Sequence, residues 1–187
     1  MLPMYKLLEW TSDLDLTDFY NKADQKGFYN NSNQQRMIDC FKNERDWKAW
    51  ILYENDQAVG SVVSHTFDDV MGTGSYRVLA RCCVLTGARS NGGMMTARVA
   101  IGQHQNITDQ FFLPACIEWA GDNIYATSNE SIVASQRFVH RTYFPTLEKL
   151  GIVEKVKDVF YRGTDQTVWK IKVDKFYENL NRYPRWI

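Results

Sequence analysis

Long apolar runs are missing from this sequence of 187 residues. A helix needs about 20 consecutive apolar residues to cross a bilayer, so no transmembrane helix is expected. Proline is scarce at four residues, and no Pro/Gly/Ser-rich tract or repeat divides the chain. A single domain over residues 1–187 is therefore predicted. Excess charge of either sign is also absent, with 22 basic and 22 acidic side chains and no long run of either. Proteins that bind nucleic acid cluster basic groups against phosphates, and no such partner is expected here. The four cysteines (Cys40, Cys82, Cys83 and Cys116) form no CxxC pair and lie far in sequence from the three histidines. A zinc site has no support. The opening MLPMYKLLEW has one lysine and only short apolar stretches, and it is not expected to act as a signal peptide. A cytoplasmic location with reduced thiols and no membrane association is the expectation.

What the chain does contain is an ordinary globular composition, 44% apolar and 24% charged. Ser12 and Asp13 can cap a helix whose Leu16, Phe19, Tyr20 and Ala23 share one face and which Gly27 can end. A second short helix is predicted from Asn33, burying Met37, Ile38 and Phe41. Residues 47–53 and 58–67 then read as strands, because they are rich in β-branched and aromatic residues. Glu54-Asn55-Asp56-Gln57 between them suits a tight turn, since Asn and Asp tolerate positive φ. A third strand follows over 76–86, and three strands in succession are expected to be antiparallel neighbours.

Beyond it, residues 87–93 are glycine-rich. Phe112, Ala115, Cys116 and Trp119 have helical spacing, and a short strand is predicted at 124–128. A long helical segment over about 131–150 should be kinked or restarted at Pro145 and stopped by Gly151. Two last strands are predicted at 156–162 and 167–173 around a Gly163-Thr164-Asp165 turn. A helical tail begins at Asp174, with Tyr183, Trp186 and Ile187 expected to dock on the body.

This order, with a glycine loop after the third strand, resembles the GNAT superfamily of acyl-CoA-dependent N-acyltransferases over roughly residues 47–172. Three stretches carry the resemblance. WILYENDQAVGSVV (50–63) is similar to the family's central hairpin, and VLTGARSNG (84–92) has its strand-to-loop spacing. Residues 125–152, with Asn129 and Leu150-Gly151-Ile152, are similar to the strand, exit and helix beside the cofactor's pantetheine arm. The family's fold is thus implied: a mixed, mostly antiparallel α/β sheet flanked by helices, in which strands 76–86 and 124–128 run parallel and splay apart.

The loop has its own physics. Glycine-exposed N–H groups at a helix start suit a pyrophosphate, and Arg89 can add a charge-assisted hydrogen bond; an ordinary Asn-Gly-Gly surface turn is the alternative. The resemblance implies that acetyl-CoA is held by Cys83, Val84, Leu85, Arg89, Asn91, Gly92, Gly93, Met94 and Asn129, with a backbone N–H near 83–85 meeting the oxyanion. Three departures stand out. The stretch over residues 92–124 is longer than the family's usual single helix between loop and strand. Met94 takes the last small position of the loop pattern, and Leu147 stands where the family often has the tyrosine that protonates the leaving thiolate.

Tyr143, one turn earlier, is the substitute acid, with a core aromatic as its alternative; His140 is another option. His65 is the candidate base, with a core histidine as its alternative. Strict alternation would place Arg77, Leu79, Arg81, Cys83 and Leu85 on one face of the third strand. Arg81 is then a candidate to hold a carboxylate or phosphate of the acceptor, unless a structural carboxylate pairs with it. The implied activity is transfer of an acetyl group from acetyl-CoA to a primary amine of a small molecule or peptide. A second copy of the chain is admitted as a partner. The competing reading is a catalytically inactive GNAT-like binding or structural module.

Overall fold

The computed structural model describes residues 4–25, 45–67, 76–85, 108–131, 137–161 and 164–180. Strands β1 (Tyr5–Glu9), β2 (Arg45–Glu54), β3 (Gln57–Phe67), β4 (Tyr76–Val84), β5 (Ile124–Ser128), β6 (Val153–Tyr161) and β7 (Thr164–Ile171) form one seven-stranded sheet in the order β1-β2-β3-β4-β5-β7-β6. All neighbours are antiparallel except β4 and β5, which run parallel. Helices α1 (Thr17–Gln25), α2 (Leu113–Ala120), α3 (Phe144–Lys149) and α4 (Val173–Leu180) accompany it. The helix predicted from Asn33, the turn at 68–75, the glycine loop and the aromatic tail lie outside the described residues.

Alternation along β2 separates two cores. Trp50 and Leu52 face a large aromatic cluster with Phe112, Tyr143, Phe144, Trp169 and Phe176, while Ala49 and Ile51 face α1. The predicted amphipathic stripe of α1 is buried as expected: Leu16, Phe19, Tyr20 and Ala23 pack against Val63 and Leu85. The start differs from the prediction. Asp15 Oδ1 accepts from the Thr17 N–H at 3.2 Å, whereas Asp13 takes a hydrogen bond from Thr11 that holds its carboxyl below the usual range.

The β2–β3 turn has positive φ at both central residues, Asn55 (47°) and Asp56 (65°). That conformation matches the right-handed twist of the flanking strands, and it explains the Asn-Asp pair. β3 and β4 pair from Phe67↔Tyr76 to Val63↔Ala80, and then the register slips to Ser61↔Cys83. One extra β4 residue therefore lies between those pairs, a β-bulge. The β4 register therefore changes between Ala80 and Cys83, across the stretch that holds Arg81 and Cys82.

Two helices begin with a widened turn. Residues Thr108–Phe112 and Val139–Tyr143 are π-helical, and each runs directly into an α-helix with proline near its start, Pro114 and Pro145. Proline lacks the N–H for an α-helical bond and its ring crowds the carbonyl four residues back, so the preceding turn widens. Phe144 N–H accordingly reaches Val139 O, five residues back. Pro145 thus restarts the helix. Its end is a Schellman turn: Gly151 (φ 74°) donates to Glu148 O and Ile152 to Leu147 O, both at 2.9 Å. The last two strands begin three residues earlier than predicted, and Thr164 belongs to β7 rather than to the turn.

Candidate functional site

The parallel ladder between β4 and β5 is short. It joins Arg77, Val78 and Leu79 to Ile124, Tyr125 and Ala126 and goes no further, although β4 continues to Val84 and β5 to Ser128. The two central strands are consequently not hydrogen-bonded to each other over their C-terminal halves. Unpaired backbone in a sheet interior is costly unless something else supplies the partners.

One hydrogen bond orients the C-terminal end of β4. Leu85 N–H donates to Val59 O at 2.8 Å, so the polar groups of Leu85 face β3. Successive residues of an antiparallel strand turn their N–H and C=O to opposite edges. Val84, whose partner in β3 is Gly60, therefore directs its N–H toward β5, beyond the last rung of that ladder. Of the three backbone positions expected to serve an oxyanion, Leu85 is already engaged. Val84 is the one that faces the opening.

On the β5 side, three elements meet at one hydroxyl. Ser128, two residues past the last paired position, is buried. Its Oγ accepts from Trp169 Nε1 of β7 at 2.9 Å and lies 2.9 Å from His140 Nδ1, in the π-helical turn before α3. Asn129 follows directly and is half-buried. Two carboxylates interact electrostatically with His140. Glu130 is held below the usual carboxylate range by a 2.9 Å hydrogen bond from Arg141, with a smaller contribution from His140. Asp158 on β6 is lowered by hydrogen bonds from Thr167 and Lys155, again with a smaller His140 contribution.

The two side chains predicted to move protons are not brought together. Tyr143 is buried in the aromatic core, and its OH donates to the carboxylate of Asp109, itself fully buried, at 2.9 Å. This bond joins the two π-helical turns. His65 is buried with Nδ1 3.1 Å from Thr66 O, and it falls two residues from Val63 on the α1 side of the sheet. Cys83 and Arg81 are strand positions of β4, Arg81 within the bulged stretch; the loop residues Arg89, Asn91, Gly92, Gly93 and Met94 lie outside the described residues. Among the described residues, no group of three His, Cys, Asp or Glu side chains could hold a metal ion, and no helix is long and apolar enough to cross a membrane. Sequence reading missed Ser128, Trp169 and Asp109 as polar partners. Ser128 ends a predicted strand, but nothing in its surroundings signals a tryptophan 41 residues away.

No protein-family model matches the chain, and no curated protein matches its sequence. Solved structures do match its shape. An uncharacterized protein from Bacillus halodurans superposes with a TM-score of 0.61 at 11% identity, covering 98% of this chain and 90% of that one. FeeM, an N-acyl amino acid synthase from uncultured soil microbes, gives 0.55 at 7% identity, covering 95% and 96%. A protein assigned as an acetyltransferase of the GNAT family, from Desulfovibrio desulfuricans, gives 0.54 at 12% identity, covering 91% and 99%. The fold is that of the GNAT acyltransferases. Within it, the interrupted β4–β5 ladder falls in the middle of the sheet.

Proposed function

We propose that this protein is an N-acetyltransferase that moves the acetyl group of acetyl-CoA onto a primary amine of a small molecule or peptide. The observation that carries the reading is the early end of the β4–β5 ladder, with the Val84 N–H directed into the opening. An extended pantetheine arm offers amide groups suited to strand edges, and a slot between two strands would satisfy both parties. Asn129, at the exit of β5, lies on the same margin and is a proposed contact. Arg89, Asn91, Gly92, Gly93 and Met94 are proposed to hold the pyrophosphate through backbone amides beyond β4.

In the reaction a neutral amine attacks the thioester carbonyl and negative charge gathers on its oxygen. A fixed N–H aimed at that oxygen lowers the barrier without reorganising during the reaction. Val84 N–H is assigned this task. Arg81, in the bulged stretch of β4, is proposed to contact the acceptor. Proton transfer is not assigned to Tyr143, whose hydroxyl is committed to Asp109, nor to His65, buried on the α1 side.

The experiment replaces the amide itself. Val84→Pro deletes the N–H that faces β5 while leaving the bonds to β3 in place, the setting in which a strand tolerates proline. With acetyl-CoA and a panel of primary amines, wild type should release CoA in an amine-dependent way, and the variant should be slower by roughly 10²–10³-fold. A folded variant with wild-type turnover would remove Val84 from the mechanism, and a wild type inactive on every amine would count against the activity.

A further inference from the structure

Ser128 and His140 form a polar pair that the acyl-transfer reading does not require, and Ser128 lies on the stretch of β5 beyond the last β4–β5 rung. We infer that His140 is the proton donor to the departing thiolate and that Ser128 is its positioning residue. The inference rests on the acetyl-CoA reading above. Three facts support it. The pair is built on the part of β5 that β4 has left, since the last rung is Ala126 and the hydroxyl is on Ser128. Trp169 Nε1–H donates to Ser128 Oγ, which fixes the hydroxyl and with it the contact to Nδ1. With Nδ1 held, Nε2 is assigned the proton exchange; among the described residues no hydrogen bond to it is found.

The alternative acid is engaged elsewhere, because the Tyr143 hydroxyl donates to Asp109. Two carboxylates from different elements interact with His140: Glu130 after β5, which also takes Arg137 and Arg141, and Asp158 on β6, which also takes Lys155.

The step balances as follows. The amine nitrogen forms its bond to the acyl carbon and releases a proton to solvent. The C–S bond breaks with its electron pair on sulfur, and sulfur takes the Nε2 proton of the His140 imidazolium. Neutral His140 then keeps its Nδ1–H toward Ser128 Oγ, which accepts it beside the Trp169 N–H. A proton from water restores the imidazolium.

The test needs no acceptor. In protein labelled with ¹⁵N-histidine, the three histidines are resolved by NMR, and His140→Gln assigns the relevant signals. The protein is titrated with CoA and, separately, with desulfo-CoA, which keeps the arm but lacks the thiol. The expected result is a displacement of the His140 Nε2 resonance and of its titration midpoint by CoA and not by desulfo-CoA. In Ser128→Ala the Nδ1/Nε2 tautomer balance should change before any ligand is added, a readout that mere packing would not move. If both ligands bind and His140 is unmoved, or moves equally with each, the inference is overturned while the acetyl-CoA reading stands. If neither ligand binds, the acetyl-CoA reading fails and this inference falls with it.

Discussion

Thr167 and Asp158 illustrate how single polar contacts are handled on the β6–β7 ribbon. The Thr167 hydroxyl, buried on β7, donates to Asp158 Oδ1 at 2.6 Å, and Lys155 reaches the other oxygen at 3.0 Å. Hydrogen bonding to the ionised form, from Thr167 first and Lys155 second, holds the Asp158 carboxyl below its usual range. A depressed folded-state pKa contributes stability above the unfolded value, and that contribution is lost as the pH falls through the folded one. Thr167→Val removes the larger cause while keeping the side chain's shape. The Asp158 midpoint, followed by NMR, should move up toward the ordinary carboxylate value of about 3.9. The variant's extra loss of stability on acidification from about pH 5 to pH 2 should correspondingly be smaller than that of wild type. An unchanged midpoint would mean that Lys155 alone sets the value. The residue scale is also where sequence reading is weakest. Tyr143 was legible as an aromatic at helical spacing, and the structure packs its ring in the aromatic core. Its bond to Asp109 spans 34 residues and has no local signature.

At the scale of elements, legibility follows how local the cause is. The hairpin over 50–63 was readable because Asn55 and Asp56 state their own backbone requirement. The stop at Gly151 was readable for the same reason. β5 was found at its observed bounds because Ile124, Tyr125 and Ala126 form a short apolar run between turn signals. β1 was not proposed at all: it is a five-residue edge strand, stabilised by pairing with β2 from Tyr5↔Glu54 to Glu9↔Trp50 rather than by its own pattern. The β4 bulge was invisible as well, since a register slip belongs to two strands and the sequence shows one. Gly151 supplies a direct check on the local account. A Cβ built there meets nothing within 4 Å, so only the positive φ opposes a side chain. Gly151→Ala should therefore destabilise the protein by about 1–2 kcal/mol in urea unfolding, and a neutral result would show that the Schellman turn relaxes without loss.

For the molecule as a whole, the decisive feature is a sheet that is continuous across seven strands yet incompletely zipped at its centre. Aromatic packing with α2, α3 and α4 covers one face and α1 covers part of the other, so the strands stay in place without the missing rungs. Fold class and element order were legible because three antiparallel strands, a crossover and a final ribbon leave few arrangements open. The acceptor was not legible, since it is decided by side chains that the topology does not fix. The central claim is that the unzipped stretch takes an acetyl-CoA arm, and calorimetric titration of the purified protein with acetyl-CoA tests it most directly. Saturable one-to-one binding is predicted, with free CoA competing and a rise in unfolding free energy of about 2.7 kcal/mol at a hundredfold excess over Kd. No heat, and no shift of the unfolding midpoint at millimolar acetyl-CoA, would contradict it.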